Sequence, residues 1–118
     1  MENMHSERLL DHFKNPRNVG ELPPPAIRVE VSNPACGDIL RLHVLFENDR
    51  VSEVRYQVRG CTASIAAASA LTEWMQGKSR RELKSLTAQT IEDAVGGLEP
   101  ASKHAAVLCL DAVHSICA

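Results

Sequence analysis

Three stretches of the chain alternate between apolar and polar residues, and a helical rhythm governs both ends. Ala26 to Val31 sets Ile27, Val29 and Val31 against Arg28 and Glu30. Ile39 to Phe46 repeats the pattern with Leu40, Leu42, Val44 and Phe46, and Val51 to Arg59 with Val54, Tyr56 and Val58. A period of two predicts half-buried strands. Asn33-Pro34-Ala35-Cys36-Gly37-Asp38 and Glu47-Asn48-Asp49-Arg50 supply turns between them. Such short connections predict a three-stranded antiparallel meander with one wet face.

Before the strands, Ser6 to Lys14 reads as a helix with Ser6 as N-cap and Leu9, Leu10 and Phe13 on one face. Asn15-Pro16 stops it, and Glu21 to Pro25, with three consecutive prolines, predicts an extended polyproline-like connector. After the strands, Gly60-Cys61 leads into an Ala- and Ser-rich helix over Thr62 to Gln76, closed by Gly77. Ile65, Leu71 and Trp74 supply its bulk. Ser79-Arg80-Arg81-Glu82 is a capping-box pattern, Thr87 to Ala94 predicts a further short helix, and a last helix starts at Pro100 or Ser102. The order predicts an α+β fold: a three-stranded antiparallel sheet with helices packed on one face.

At 118 residues the chain is expected to form a single domain, 1–118. A formal net charge of −2 gives no overall field for nucleic acid or an anionic membrane, and four aromatic residues offer little base stacking. No apolar run is long enough to span a bilayer and Met1 to Arg8 is too polar for a signal peptide, so a cytoplasmic location is expected. The cysteines Cys36, Cys61, Cys109 and Cys117 are then expected as thiols or metal ligands, not as a disulfide framework.

Two of them sit at strand ends beside glycine. If the second and third strands form a hairpin, Ile39 and Arg59 share an edge, and Cys36, Asp38 and Cys61 converge just beyond it. Cys36 also suits an ordinary turn as a small buried hydrophobe. Cys61 lies at a helix N-terminus, where aligned N–H groups favour negative charge. Two thiolates and a carboxylate at one corner suit zinc or iron better than calcium or magnesium. The last helix is the source of a fourth ligand. His104 and Cys109 fall on different faces of it, because five residues rotate about 140°. Cys109 belongs to the apolar stripe Ala105, Cys109, Ala112, Ile116 and reads as a buried structural thiol, which leaves His104 as the better fourth ligand. Cys117 reads as a frayed free thiol. His5, His12, His43 and His114 are expected at the surface, as are Lys103 and the Arg80-Arg81 pair. Nothing resembles a phosphate loop or a catalytic Ser/Cys–His spacing, so no enzyme is expected.

Over nearly its full length the chain resembles the IscU/NifU-type iron–sulfur cluster assembly scaffold family. The matching pieces are Asp11-His12-Phe13-Lys14-Asn15-Pro16-Arg17-Asn18-Val19-Gly20, Pro34-Ala35-Cys36-Gly37-Asp38, Gly60-Cys61-Thr62-Ala63-Ser64 and the segment from Thr72-Glu73-Trp74 to Gly77-Lys78. The resemblance implies an α+β scaffold that builds a [2Fe–2S] cluster with sulfur from a cysteine desulfurase and passes it to acceptor proteins. It implies Cys36, Asp38, Cys61 and His104 as ligands of iron or the cluster, with zinc as an alternative occupant. A third family cysteine would follow His104 directly, where this chain has Ala105. The family's chaperone-recognition segment is altered to Leu98-Glu99-Pro100-Ala101-Ser102, which leaves a chaperone partner open. Two other roles stay open beside the scaffold: a zinc-bound sulfur relay, and a degenerate regulatory module of the assembly machinery.

Overall fold

The protein is described from a computed structural model, covering residues 5–34 and 37–118. Three strands, β1 (Ile27–Asn33), β2 (Asp38–Glu47) and β3 (Arg50–Arg59), form an antiparallel sheet in the order β1-β2-β3. Helix α1 (Glu7–Lys14) precedes them; α2 (Thr62–Met75), α3 (Arg80–Lys84), α4 (Ala88–Ala94), a 3₁₀ turn at Pro100–Ser102 and α5 (His104–Cys117) follow. The expected α+β architecture and meander are therefore present.

The alternation sets the register. Val31 faces Leu40, Val29 faces Leu42 and Ile27 faces Val44; across the other seam Leu42 faces Tyr56 and Val44 faces Val54. Leu40, Leu42, Val44 and Val54 are fully buried beneath the helices. Full burial of each such side chain stabilises the fold by about 1.5–3 kcal/mol. A register shift between Leu45 and Phe46 breaks the alternation near the second turn, and Arg80 stacks on the Phe46 ring at 3.8 Å. Arg80 also pairs with Asp49 at 3.2 Å, so it is engaged where a free solvated residue was expected.

Helix α2 is apolar nearly all round. Ala63, Ala66, Ala67, Ala68 and Ala70 are buried on it, and the small side chains let it lie close to α1, β3 and α5 at once. Helix α5 packs over β1 and β2 with Ala105, Cys109, Ala112 and Ile116 inward, as that stripe predicts. Cys117 ends the helix half-buried against the core and is not frayed. Ser79 and Glu82 form the expected capping box of α3, and Thr87 and Ser6 cap α4 and α1.

The prolines depart from expectation. Ala26 N–H donates to the Pro23 carbonyl and the Pro24–Pro25 peptide is cis, so the connector turns into β1 where an extended run was expected. This loop also covers part of the outer sheet face. His43 there is buried, with Nδ1 accepting from Leu22 N–H at 3.3 Å, and is no surface residue.

His12 is likewise buried, whereas Phe13, expected on the apolar face of α1 with Leu9 and Leu10, is exposed and Leu10 half-buried. The inward face of α1 thus runs through Leu9 and His12, one turn apart, because α2 offers His12 a polar partner. His12 Nδ1 meets Ser69 Oγ at 2.8 Å, and the same hydroxyl oxygen accepts from Arg17 N–H at 3.0 Å. Asn18 Nδ2 donates to Thr72 Oγ1 at 3.1 Å, continuing the seam. His5 is half-buried, and His114 is exposed as expected.

Burial, helped by the nearby Arg17 cation, holds the His12 pKa below the ordinary histidine value of 6.5, against the pull of Glu73 and Asp11. The folded state thus refuses a proton that the unfolded chain accepts. Stability is full above the unfolded value and declines as pH falls through about 6.5 towards the lower folded value. Urea-unfolding midpoints measured from roughly pH 8 to pH 5 are expected to show this fall. His12→Gln, which keeps a hydrogen-bonding group near Ser69, is expected to flatten it.

Candidate metal centre

The candidate site forms where the first residue of β2, the N-cap of α2 and the first residue of α5 meet. The turn between β1 and β2 is closed by Gly37 N–H donating to Asn33 C=O at 2.7 Å, with Gly37 at φ 75°, a conformation glycine adopts without penalty. Asn33 pairs with Asp38, and the Asp38 side chain falls on the helix-covered side of the sheet, in line with Leu40 and Leu42. Asp38 is only 4 % exposed. Such a carboxylate must find polar partners.

It finds three. Ser64 Oγ, in the first turn of α2, donates to Asp38 Oδ2; His104 Nε2 lies 3.3 Å from the same oxygen; Cys61 Sγ lies 3.8 Å from it. Cys61 is the N-cap of α2 and its sulfur caps no backbone N–H, so it is left to the site. Cys61 Sγ is 3.5 Å from His104 Nε2 and 3.4 Å from Ser64 Oγ. Asp38, Cys61 and His104 each offer one donor atom, all within 4.8 Å of one another.

These separations are also compatible with one coordination polyhedron. Bonds of about 2.0–2.3 Å to a tetrahedral zinc or iron place its ligand atoms about 3.3–3.7 Å apart. The observed 3.3, 3.5 and 3.8 Å fit three corners of such a tetrahedron. A sulfur, an imidazole nitrogen and a carboxylate oxygen are a set for zinc or iron. Burial is graded around the site: Asp38 is inside, His104 half-buried and Cys61 exposed. The group is thus open on the thiol side.

Asp38, Cys61 and His104, expected together from about twenty-residue and forty-residue separations, do meet. Cys36 was expected as the fourth member and lies outside the described residues. Cys109 is 1 % exposed in the core, and burial pushes its thiol up to about 12, so it is an inert packing residue. Lys103 is bound to Glu92 at 2.7 Å, not poised over the thiol. Ala105 is fully buried against the core.

Two contributors were not assigned a role from sequence. Ser64 is one; its signal was a polar residue three positions after the helix N-cap, on a face that is otherwise alanine. Gly60 is the other. A Cβ built there lies 2.7 Å from Asp38 Cγ and 2.9 Å from both carboxylate oxygens, so only glycine leaves room for the carboxylate.

Residues 4–117 match the family model described as the NifU-like N terminal domain. Among curated relatives, the iron–sulfur cluster assembly scaffold protein IscU 1 of Archaeoglobus fulgidus is 36 % identical over 110 residues, covering 93 % of this chain and 72 % of the relative. The IscU scaffold protein of Aquifex aeolicus is 40 % identical over 112 residues, covering 93 % and 71 %. Among solved structures, a protein of Fervidobacterium islandicum described as a scaffold for the SUF system superposes with a TM-score of 0.78 at 22 % identity, over 98 % of this chain and 97 % of that one. That likeness shows the fold.

Gly60→Ala is expected to push the Asp38 carboxylate out of line and lower zinc affinity about 10- to 100-fold, the usual range for losing an orienting contact. A competition titration against a chromophoric chelator reads this directly, and far-UV circular dichroism checks that the sheet is intact. Unchanged affinity would mean that Asp38 does not bind the ion.

Proposed function

The chain belongs to the NifU-like N-terminal domain family, and from that premise we propose that it is an iron–sulfur cluster assembly scaffold that holds iron and a nascent [2Fe–2S] cluster as cargo. The observation that carries the reading is the fit of Asp38, Cys61 and His104 to three corners of one ion's coordination shell. Cys36, next to the same hairpin, is proposed as the fourth ligand. In this reading the cluster is loaded with sulfur from a cysteine desulfurase and leaves to acceptor proteins.

The ligand set suits transient custody. Asp38 Oδ2 is a hard oxygen donor and binds iron less covalently than a thiolate, so a cluster held partly by it is more easily surrendered. Ser64 fixes that oxygen in place by its hydrogen bond. Cys61 stands at the exposed side, where an incoming sulfur or an acceptor thiol has access. His104 contributes an imidazole nitrogen, a ligand that suits both iron and zinc. With Ala105 after His104 and Cys109 buried, persulfide arriving at the site would be received by Cys61 or Cys36.

One observation favours a second occupant. Three donor atoms within a single tetrahedral shell accept one zinc ion as readily as the first iron. A zinc-loaded form would act as a sulfur relay for the desulfurase.

Anaerobic reconstitution with ferric iron and sulfide, which supply the two ferric ions and two sulfides of an oxidised [2Fe–2S] cluster, separates the readings. The scaffold reading expects visible sulfur-to-iron charge-transfer absorption, lost in Cys61→Ala. It also expects transfer to an apo-ferredoxin that slows about tenfold in Asp38→Cys, because a thiolate replaces the weaker ligand. Absence of any chromophore, together with faster desulfurase turnover on adding the zinc form, would replace the scaffold by the relay.

A further inference from the structure

The outer face of the sheet carries no helix, and its residues form an ordered grid. The register places Arg28, His43 and Arg55 in one row across the strands, then Glu30, Arg41 and Gln57, then Ser32, Ile39 and Arg59. Four arginines stand on this face against Glu30, Glu53 and Glu21, the last reaching in from the loop before β1 to accept from Gln57 Nε2 at 3.0 Å, in a chain whose formal net charge is −2. The face is therefore opposite in sign to the molecule as a whole. Arg41 is tied to Glu30 at 2.9 Å and Arg55 lies 3.6 Å from Glu53. Arg28 and Arg59 are exposed and have no ion-pair partner among the described residues.

Between the last two rows lies a cavity of about 350 Å³ lined by Glu30, Ile39, Arg41, Gln57, Val58 and Arg59. Ile39 is its apolar side chain on this face, Val58 turning its own side chain to the core, and its rim is arginine, glutamine and glutamate. An apolar seat rimmed by arginine is the anatomy of a protein interface, where arginine is enriched. The cavity lies at the end of the sheet that carries the site: Ile39 follows Asp38, and Arg59 precedes Gly60-Cys61.

We propose that this face docks an acidic segment of a partner protein, which places one apolar side chain over Ile39 and carboxylates against Arg28 and Arg59. Arg28 and Arg59 lie on opposite edge strands, two rows apart, so they flank a span of roughly 15 Å. That suits a helix or strand bearing acidic residues on either side of an apolar one. Nucleic acid suits it less. The central Arg41 is already held by Glu30 beside it, the three rows present no Phe, Tyr or Trp outward, and the two free cations neutralise few phosphates. A partner seated here ends beside Cys61 without covering it.

The probe is a labelled synthetic peptide of about 15 residues, rich in glutamate with one central leucine, titrated into ¹⁵N-labelled protein at low ionic strength. The expected result is amide shifts in all three strands, centred on residues 28–30, 39–41 and 57–59, weakening as salt is added. Arg28→Glu/Arg59→Glu is expected to weaken binding about tenfold or more, and Arg28→Gln/Arg59→Gln by less, with zinc affinity and the amide spectrum of the core unchanged in both. A lysine-rich peptide of the same length is expected not to bind. No shifts, shifts confined to the helices, or tighter binding of a single-stranded oligonucleotide of similar length would each overturn the proposal. Loss of zinc binding in Asp38 or Cys61 variants leaves the peptide result untouched, so failure of the metal reading and failure of this one are separable.

Discussion

A carboxylate almost removed from water fixes everything else at the corner of this sheet. Asp38 begins β2 on the covered side, where the next residues in line are Leu40 and Leu42. A lone anion there would be costly, and the fold meets it with the Ser64 hydroxyl, the His104 ring and the Cys61 sulfur. Each comes from the first turn or cap of a helix, so the starts of α2 and α5 must converge on the start of a strand. The alanine-rich surface of α2 makes that possible, since bulkier side chains would hold the two helices apart. Gly60 completes the fit by leaving empty the space its own Cβ would take from the carboxylate.

In the scaffold reading proposed above, the same arrangement would make a site with few strong ligands useful. A closed shell of four thiolates would retain its metal; a shell with one oxygen, one nitrogen and an exposed thiol side holds it less firmly. Rigidity is placed behind the ligands, in the packed helices and the Ser64 hydrogen bond, and accessibility in front, at Cys61. The helix-free side of the sheet then supplies a surface of opposite charge to the rest of the molecule, ending next to that thiol.

Much of this was legible in the chain. Period-two alternation fixed which face of each strand is buried, and the hairpin put Ile39 and Arg59 at one edge, as the register has them, with β2 starting one residue earlier at Asp38. That Asp38 and Cys61 meet is a consequence of that register and of the short Gly60 link. Choosing His104 over Cys109 needed only helical geometry: Cys109 shares the buried stripe with Ala105 and Ala112, and the structure buries it. What stayed hidden depends on contacts between distant elements. His12 and His43 looked like surface residues because Ser69 and Leu22, their partners, lie 57 and 21 positions away. The proline run looked extended because nothing local shows that the chain must turn there to enter β1. Ser64 gave only a weak hint, since its role exists only once Asp38 has been brought beneath it.

The central claim is that a thiolate, an imidazole and a carboxylate bind one ion together. X-ray absorption at the zinc edge of the zinc-loaded protein tests it most directly. A mixed shell is predicted, with sulfur at about 2.3 Å and nitrogen or oxygen at about 2.0–2.1 Å, and the sulfur contribution falling in Cys61→Ala. A shell of nitrogen and oxygen alone, or one that the loss of Cys61 leaves unchanged, would contradict it.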